Sequence, residues 1–514
     1  MPKAVLVLHR WLGVVIGMVM TLWCLSGFVM LYVDYPRLTP AEQVRGLPLL
    51  RLPAAATRAR IDLPDALPLA SARLETMAGR TVLRIVPAAA TERRIGQIRA
   101  MPVSYDLATG ARLAELAPED FRRIAVDYAA QANIAGAPAR IAETGIDQWT
   151  VQTFRANRPL IRVDYADPAG TSVYIAGRSG EIVQQTTRFE RFWGWLGAVP
   201  HWLYPTLLRQ NGAAWSQVVI WTSLVGCFLT ATGIWVGIAR LRRRKDGSFG
   251  SPYKGLWWWH HVLGLVFGVL TLSWVASGLL SMNPWGFLDS RAGAAEHQQL
   301  AGPMAWGTVR AALARLDRVP ADTRRVESVA MAGRVFPIAI GGSGSSMRFD
   351  DRGEPAPLRR EAVAAALRAG PPLASLDLLT AEDSYYYGHK APVALPVWRA
   401  VRADREATRL YIDAQSGKLL RAVDGNARAF RWLQDGLHRL DLPGLRSRPV
   451  WDLVVLPLLA MVTLVCATGT WMGVRKAKRD LRHMLRRRKL GRGPHPRRHG
   501  HAARALRHAV TGRW

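Results

Sequence analysis

Cysteine is scarce in this 514-residue chain, with three in all: Cys24, Cys227 and Cys466. So few exclude a disulfide framework, a cysteine-built zinc site and a four-cysteine iron–sulfur cluster. There is no C-x-x-C-H stretch, so a covalently attached c-type haem is excluded too. The G-x-G-x-x-G dinucleotide fingerprint is also missing, and with it a built-in NAD(P)H or flavin domain. Acids are few, 38 against 69 Lys plus Arg, which leaves a formal net charge of +31. A charge of that size ordinarily points to nucleic acid. Here 49% of the residues are hydrophobic and 20 are Trp. No zinc-finger spacing or aromatic-interleaved RNA motif accompanies the basic stretches, so no nucleic-acid partner is expected.

Most of the positive charge is local. Residues 475–514 hold 15 Lys/Arg and one acid, residues 240–254 hold six and one, and Lys3 and Arg10 lie near the start. These stretches carry two-thirds of the net charge, and each abuts a long uncharged run. The runs are 23 residues between Arg10 and Asp34, 30 between Arg209 and Arg240, 34 between Lys254 and Asp289, and 22 between Asp452 and Arg475. A helix of about 20 apolar residues crosses a ~30 Å hydrocarbon core. Four membrane spans are therefore expected, near 10–33, 215–239, 257–282 and 452–474. The first reads as a retained anchor, because its run is too long for a signal peptide and residues 32–36 offer no small-residue cleavage site. Basic segments stay on the cytoplasmic side. The expectation is a multi-pass protein of a bacterial inner membrane with both termini cytoplasmic, two large periplasmic segments and a basic tail against the lipid bilayer.

The two halves of the chain repeat. Residues 8–27 align with 259–278, which sets His9, Leu12, Gly13, Gly17, Trp23, Ser26 and Gly27 on His260, Leu263, Gly264, Gly268, Trp274, Ser277 and Gly278. At an offset of 237, Pro159, Arg162, Tyr174, Gly180 and His201 fall on Pro396, Arg399, Tyr411, Gly417 and His438. Gly233-Ile-Trp235-Val-Gly237 falls on Gly469-Thr-Trp471-Met-Gly473. Each half is helix, external domain, helix, and both run the same way, which predicts a four-helix bundle of two parallel repeats. The external segments read as α+β, with hairpin turns at Asp106–Gly110, Ala176–Gly180, Asp413–Gly417 and a shorter one at Asp350–Gly353. Helices are expected at 118–133 and 358–369.

Of the twelve His, four form two repeat-related pairs: His9 with His260, and His201 with His438. A two-fold axis sets equivalent inward-pointing residues face to face, one pair near each end of the bundle. Paired imidazoles in a helix bundle suit bis-His axial ligation of noncovalent b-type haem. Ionisable groups in membrane segments are mostly functional. His9, Gly13 and Gly17 share one helical face, and so do His260, Gly264 and Gly268, leaving backbone against which a porphyrin can lie. Small-xxx-small helix packing explains the same glycines without a cofactor. His261 adjoins His260 and is the alternative ligand, since only the alignment prefers His260.

The H-x-x-L-G starts of spans one and three, the D-x-x-[TS]-G hairpins, the W-L-x₄-H segments and the G-x-W-x-G ends resemble the PepSY-associated transmembrane family over roughly residues 5–475. The resemblance implies two haems, with His9, His260, His201 and His438 as axial ligands, and an enzyme that reduces periplasmic ferric siderophores, releasing Fe(II) for iron uptake. The electron donor would be cytoplasmic or a quinol. Its domain plan is a first span (1–33), a periplasmic PepSY-like domain (34–190), an outer His segment with span two (191–240) and a basic loop (241–256). Span three (257–283), a second PepSY-like domain (284–428), an outer His segment with span four (429–475) and a basic tail (476–514) complete it. A non-redox envelope scaffold or sensor that regulates a peptidase is the competing expectation. A secondary transporter fits less well, because the spans lack a central acid or broken helix.

Overall fold

The computed structural model of the chain describes residues 3–54, 58–88, 102–113 and 115–490, with side chains to 485 in the last segment. Of the expected basic tail, residues 491–514, with His495, His499, His501 and His508, lie outside the described residues. Four helices are long and apolar enough to cross a membrane: Ala4–Met30, Gly212–Arg240, Leu256–Ser281 and Val450–Leu485. The fourth belongs to a helix that runs on to Leu490, beyond the end of its uncharged run. Lys and Arg end a hydrophobic run, but as good helix formers they do not end a helix. The second helix starts where the Asn211 side chain accepts the Ala214 N–H, the ordinary device for an orphaned first-turn donor.

Small residues set how these helices meet. Gly17 faces Thr470 and Gly473 faces Val14, so the first and fourth helices run antiparallel. Gly226 faces Val275, Gly268 faces Ile234 and Gly237 faces Leu265, so the second and third do too. The first also packs on the second, and the third on the fourth. Residues 31–211 and 282–449 thus both leave from one end of the helices, and 241–255 from the other. Met20, Leu229, Val462 and Cys466 form the apolar centre, with Trp23 and Trp274 packed against it.

The two long connections carry the sheets. The first holds β1 (Leu69–Met77), β2 (Arg80–Pro87), β3 (Val103–Asp106), β4 (Arg112–Leu113), β5 (Pro138–Thr144), β6 (Leu160–Tyr165), β7 (Ser172–Ala176) and β8 (Ile182–Thr186). Between the second and third membrane helices lie the short β9 (Arg242–Arg243) and β10 (Phe249–Gly250). The second long connection holds β11 (Thr323–Met331), β12 (Arg334–Gly341), β13 (Ser346–Arg348), β14 (Leu373–Leu379), β15 (Val397–Arg402), β16 (Arg409–Asp413) and β17 (Leu419–Val423). Helix Pro118–Ala132 lies where expected, and the second expected helix is shorter, Arg360–Ala366.

The expected hairpin turns form. Asp106, Asp350 and Asp413 each accept backbone N–H groups of their own turn, and Gly110, Gly180, Gly353 and Gly417 take positive φ. Two further turns escaped the sequence reading although their tetrapeptides are identical: Met77-Ala-Gly-Arg80 and Met331-Ala-Gly-Arg334. Both place Ala and Gly at positive φ, the geometry of a two-residue hairpin.

The sheets also connect the halves. Strands β5–β8 and β14–β17 form separate four-stranded sheets, but β1 pairs antiparallel with β11. Among the described residues this gives one seven-stranded sheet in the order β13-β12-β11-β1-β2-β3-β4. Arg73 stands opposite Glu327 in that central ladder. Beside it the buried Glu75 pairs with the buried Arg84 and, at 3.0 Å, with Arg325.

Candidate functional site

The four repeat-related histidines share one local arrangement. His201 ends a short helical turn, Ala198–His201, laid on the end of the first membrane helix. Its Nδ1 donates to the Trp23 carbonyl at 3.0 Å. His438 follows a π-helical turn, Arg431–Gly436, packed on the third membrane helix. Its Nδ1 donates to the Trp274 carbonyl at 3.1 Å. The hydroxyls of Ser26 and Ser277 lie 3.3 and 3.2 Å from the same two nitrogens. At the opposite end of the helices, His9 Nδ1 donates to the Leu229 carbonyl and His260 Nδ1 to the Val465 carbonyl, each at 3.1 Å. Thr232 and Thr468 stand beside these at 3.4 and 3.2 Å.

A carbonyl only accepts, so Nδ1 carries the hydrogen in all four rings and Nε2 presents its lone pair. Orienting a ligand imidazole through the far nitrogen is the usual support of a metal-bound His. The His201 and His438 ring centroids are 6.2 Å apart, with the planes at 65°. Two imidazoles holding one metal ion from opposite sides, each nitrogen ~2 Å from it, need centroids ~6 Å apart. The outer pair therefore fits an axial pair. Burial pushes the His201 imidazole down from its ordinary pKa, and burial together with His201 pushes His438 down to about 4. Both stand neutral near pH 7, as ligands must.

The ring positions are cut to glycine. A Cβ on Gly233 or Gly469 would stand 2.7 Å from Cε1 of His9 or His260. Gly278 and Gly27 take the matching places against His438 and His201, at 3.4 and 3.8 Å. Of the four glycines expected to make room for a porphyrin, Gly13 and Gly264 have no atom of the described residues within 4 Å of a Cβ. For Gly17 and Gly268 helix packing suffices, with Thr470 Oγ1 at 2.7 Å and Ile234 Cγ1 at 2.8 Å. His261 turns to the second helix: its Nε2 donates to the Gly237 carbonyl at 2.9 Å and its ring meets Tyr253. Its other nitrogen is buried and has no hydrogen-bond partner among the described residues.

The hydroxyls and carbonyls that orient the rings escaped the sequence reading. Ser26 and Ser277 were visible as repeat-matched positions, but which helix faces each His is set by packing. His389 lies 3.5 Å from the buried Asp441, and Tyr386 stacks on Tyr411. Neither joins the four histidines.

A protein with four helices long and apolar enough to cross a membrane, and antiparallel sheets at one end of them, is a multi-span membrane protein. It belongs to the family described as the PepSY-associated TM region, whose model matches residues 6–339. No curated protein matches the chain.

Proposed function

We propose that the chain is a four-helix bundle of two parallel repeats that holds two noncovalent b-type haems and carries electrons across a bacterial inner membrane to a ferric chelate, with ferric siderophores as the substrate class. The observation that carries this reading is the outer pair, His201 and His438, facing at 6.2 Å with both Nδ1 atoms tied to backbone carbonyls. The residues that would hold haem are His201 with His438 and His9 with His260, with Gly13 and Gly264 as bare backbone beside the inner pair. The haem, when bound, supplies one-electron chemistry between ferric and ferrous iron.

The chain's own residues do the rest. Backbone carbonyls fix each tautomer and ring plane, and Ser26, Ser277, Thr232 and Thr468 support the same nitrogens. Two histidines for one iron leave no open position, which favours electron transfer over oxygen chemistry. Apolar packing around Met20, Leu229 and Val462 keeps water from the centre of the helices. The sheet-bearing segments stand in the periplasm and receive the ferric chelate, and the donor is cytoplasmic or a quinol. The reaction makes the protein a transmembrane ferric-chelate reductase.

The test is an optical spectrum of the purified, dithionite-reduced protein, with haem counted per chain. Low-spin b-type bands and two haems are expected, one of them lost in His9→Ala/His260→Ala and the other in His201→Ala/His438→Ala. A reduced spectrum without such bands ends the haem proposal. Reduced protein that no ferric siderophore reoxidises ends the substrate assignment alone.

A further inference from the structure

We propose that helix Arg188–Leu196 lies flat on the sheet-bearing side of the membrane, with its apolar face in the headgroup–acyl boundary of a phospholipid leaflet. The helix is amphipathic in an unusual sense: its large apolar side chains point away from the protein. Phe189 is 62% exposed, Phe192 57%, Trp195 53% and Leu196 47%. At ~100° per residue these four fall within one arc of ~120°. The opposite face is closed, because Gly194 sits so tightly on Trp149 that a Cβ would stand 2.9 Å from the ring, with Pro36 behind. A contiguous aromatic face of this kind on a folded protein marks an interaction site.

Three observations choose lipid as its occupant. The helix ends on the first membrane helix, where a Cβ on Gly197 would stand 2.8 Å from Val29, one residue before that helix ends. The aromatic face therefore sits at the level where the first membrane helix leaves the hydrocarbon. The segment that follows it leads into surface that lipid must cover: Leu207, 84% exposed, precedes the second membrane helix, on which Trp221 is exposed. Aromatic rings collect at this depth. Finally, Arg188 at the start of the helix is exposed, with its guanidinium beside Gly170 and in no ion pair among the described residues, which leaves it for a phosphate. Arg191, by contrast, is spent on Thr186 and Gly170. An interfacial helix combines an apolar face with basic residues in this way.

The two phenylalanines of the face belong to one half of the chain, whereas Trp195 and Leu196 match Trp432 and Leu433. At the offset that aligns His201 with His438, Phe189 and Phe192 fall on Asn426 and Ala429. The repeats have thus diverged at the membrane surface while keeping the histidine. Phenylalanines needed only to support that histidine would have been kept in both.

The experiment places p-benzoylphenylalanine at position 189 or 192 of the full chain, in nanodiscs of phosphatidylcholine and phosphatidylglycerol. After irradiation, intact mass identifies what was captured. Positions 221 and 426 serve as references, the first on a membrane helix and the second on the matched segment of the other half. A mass gain of one phospholipid is expected at 189, 192 and 221, and none at 426. Chain-to-chain adducts from 189 or 192 would assign the face to a second copy and overturn the proposal. Lipid capture at 221 without capture at 189 or 192 would overturn it as well, and equal capture at 426 would remove the asymmetry.

Discussion

At the scale of single residues, the inner histidines depend on two glycines. A Cβ on Gly233 or Gly469 would stand 2.7 Å from an imidazole carbon, closer than real contacts allow. Overpacking of this kind costs about 1–3 kcal/mol when neighbours must shift. Gly233→Ala and Gly469→Ala should therefore each displace one inner ring. If the chain binds the two proposed haems, the count per chain should fall toward one, with the one assigned to His201 and His438 retained. Gly13→Ala is a different case, since no atom of the described residues stands within 4 Å of a Cβ there. If its backbone lies against a porphyrin, the folded protein should form normally and still bind less haem. Far from the helices, Glu75 gives a prediction about acid. Burial pushes its carboxyl up, but Arg84, Arg325 and Arg73 outweigh burial and hold it down at about 2. An unfolded Glu titrates near ~4.3, so the stability from this pairing is complete above that pH and is lost as pH falls from there toward 2. The unfolding temperature of the sheets should be flat from neutral pH down to about 5 and fall below it. Removing one partner of a buried ion pair costs about 3–5 kcal/mol, so Glu75→Gln should be less stable at pH 7 by that order, with a shallower acid limb. An unchanged acid limb would assign the effect to other carboxylates.

At the scale of elements, the β1–β11 ladder joins the halves through ion pairs of swapped sign. Arg73 on β1 pairs with Glu181, at the turn before β8, and Glu327 on β11 pairs with Lys418, at the turn before β17. Arg73 and Glu327 are ladder partners, and Glu181 and Lys418 correspond at the offset of 237, so the second pair is the first with its charges exchanged. Both pairs are partly exposed, which limits each to about 0.2–1 kcal/mol. Double-mutant cycles to Ala on each pair should return coupling of that size, and the two cycles should themselves couple, because Arg73 and Glu327 are ladder partners and Arg325 touches Glu327. None of this was legible in the sequence, because a ladder between strands some 250 residues apart has no local signature. The spans and hairpins were legible because their signals are local: a run without charge, or an Asp and a Gly at fixed spacing. The identical Met-Ala-Gly-Arg turns lay between these cases, visible as a repeat and easily passed over because they lack the Asp. The span boundaries slipped for a similar reason. Charge marks where hydrocarbon ends, and the fourth helix continues past it.

At the scale of the whole molecule, the repeat made the histidines legible as pairs, and packing decides what each pair means. His9 and the Trp23 carbonyl that holds His201 are fourteen residues apart on one helix, and so are His260 and the Trp274 carbonyl that holds His438. At 1.5 Å per residue the two levels stand ~20 Å apart along the helices, within a ~30 Å hydrocarbon core. An alignment can set His9 on His260, but it cannot show that His261 looks at the second helix, nor that hydroxyls from neighbouring helices support the rings. Two levels at opposite ends give the protein a direction, and direction has meaning only with respect to the two sides of the membrane. The sheets lie at the His201 and His438 end, and the basic loop of residues 240–254 lies at the other. If basic segments stay inside, alkaline phosphatase fused at Ala292 should be active in the periplasm, and the same enzyme fused at Lys245 should be inactive. Green fluorescent protein at Lys245 should report the reverse, since it fluoresces where it folds, in the cytoplasm. The opposite pattern in both reporters would put the sheets in the cytoplasm. It would leave the paired-histidine geometry intact while removing a periplasmic ferric chelate as the acceptor, because electrons leaving at His201 and His438 would then emerge on the inside.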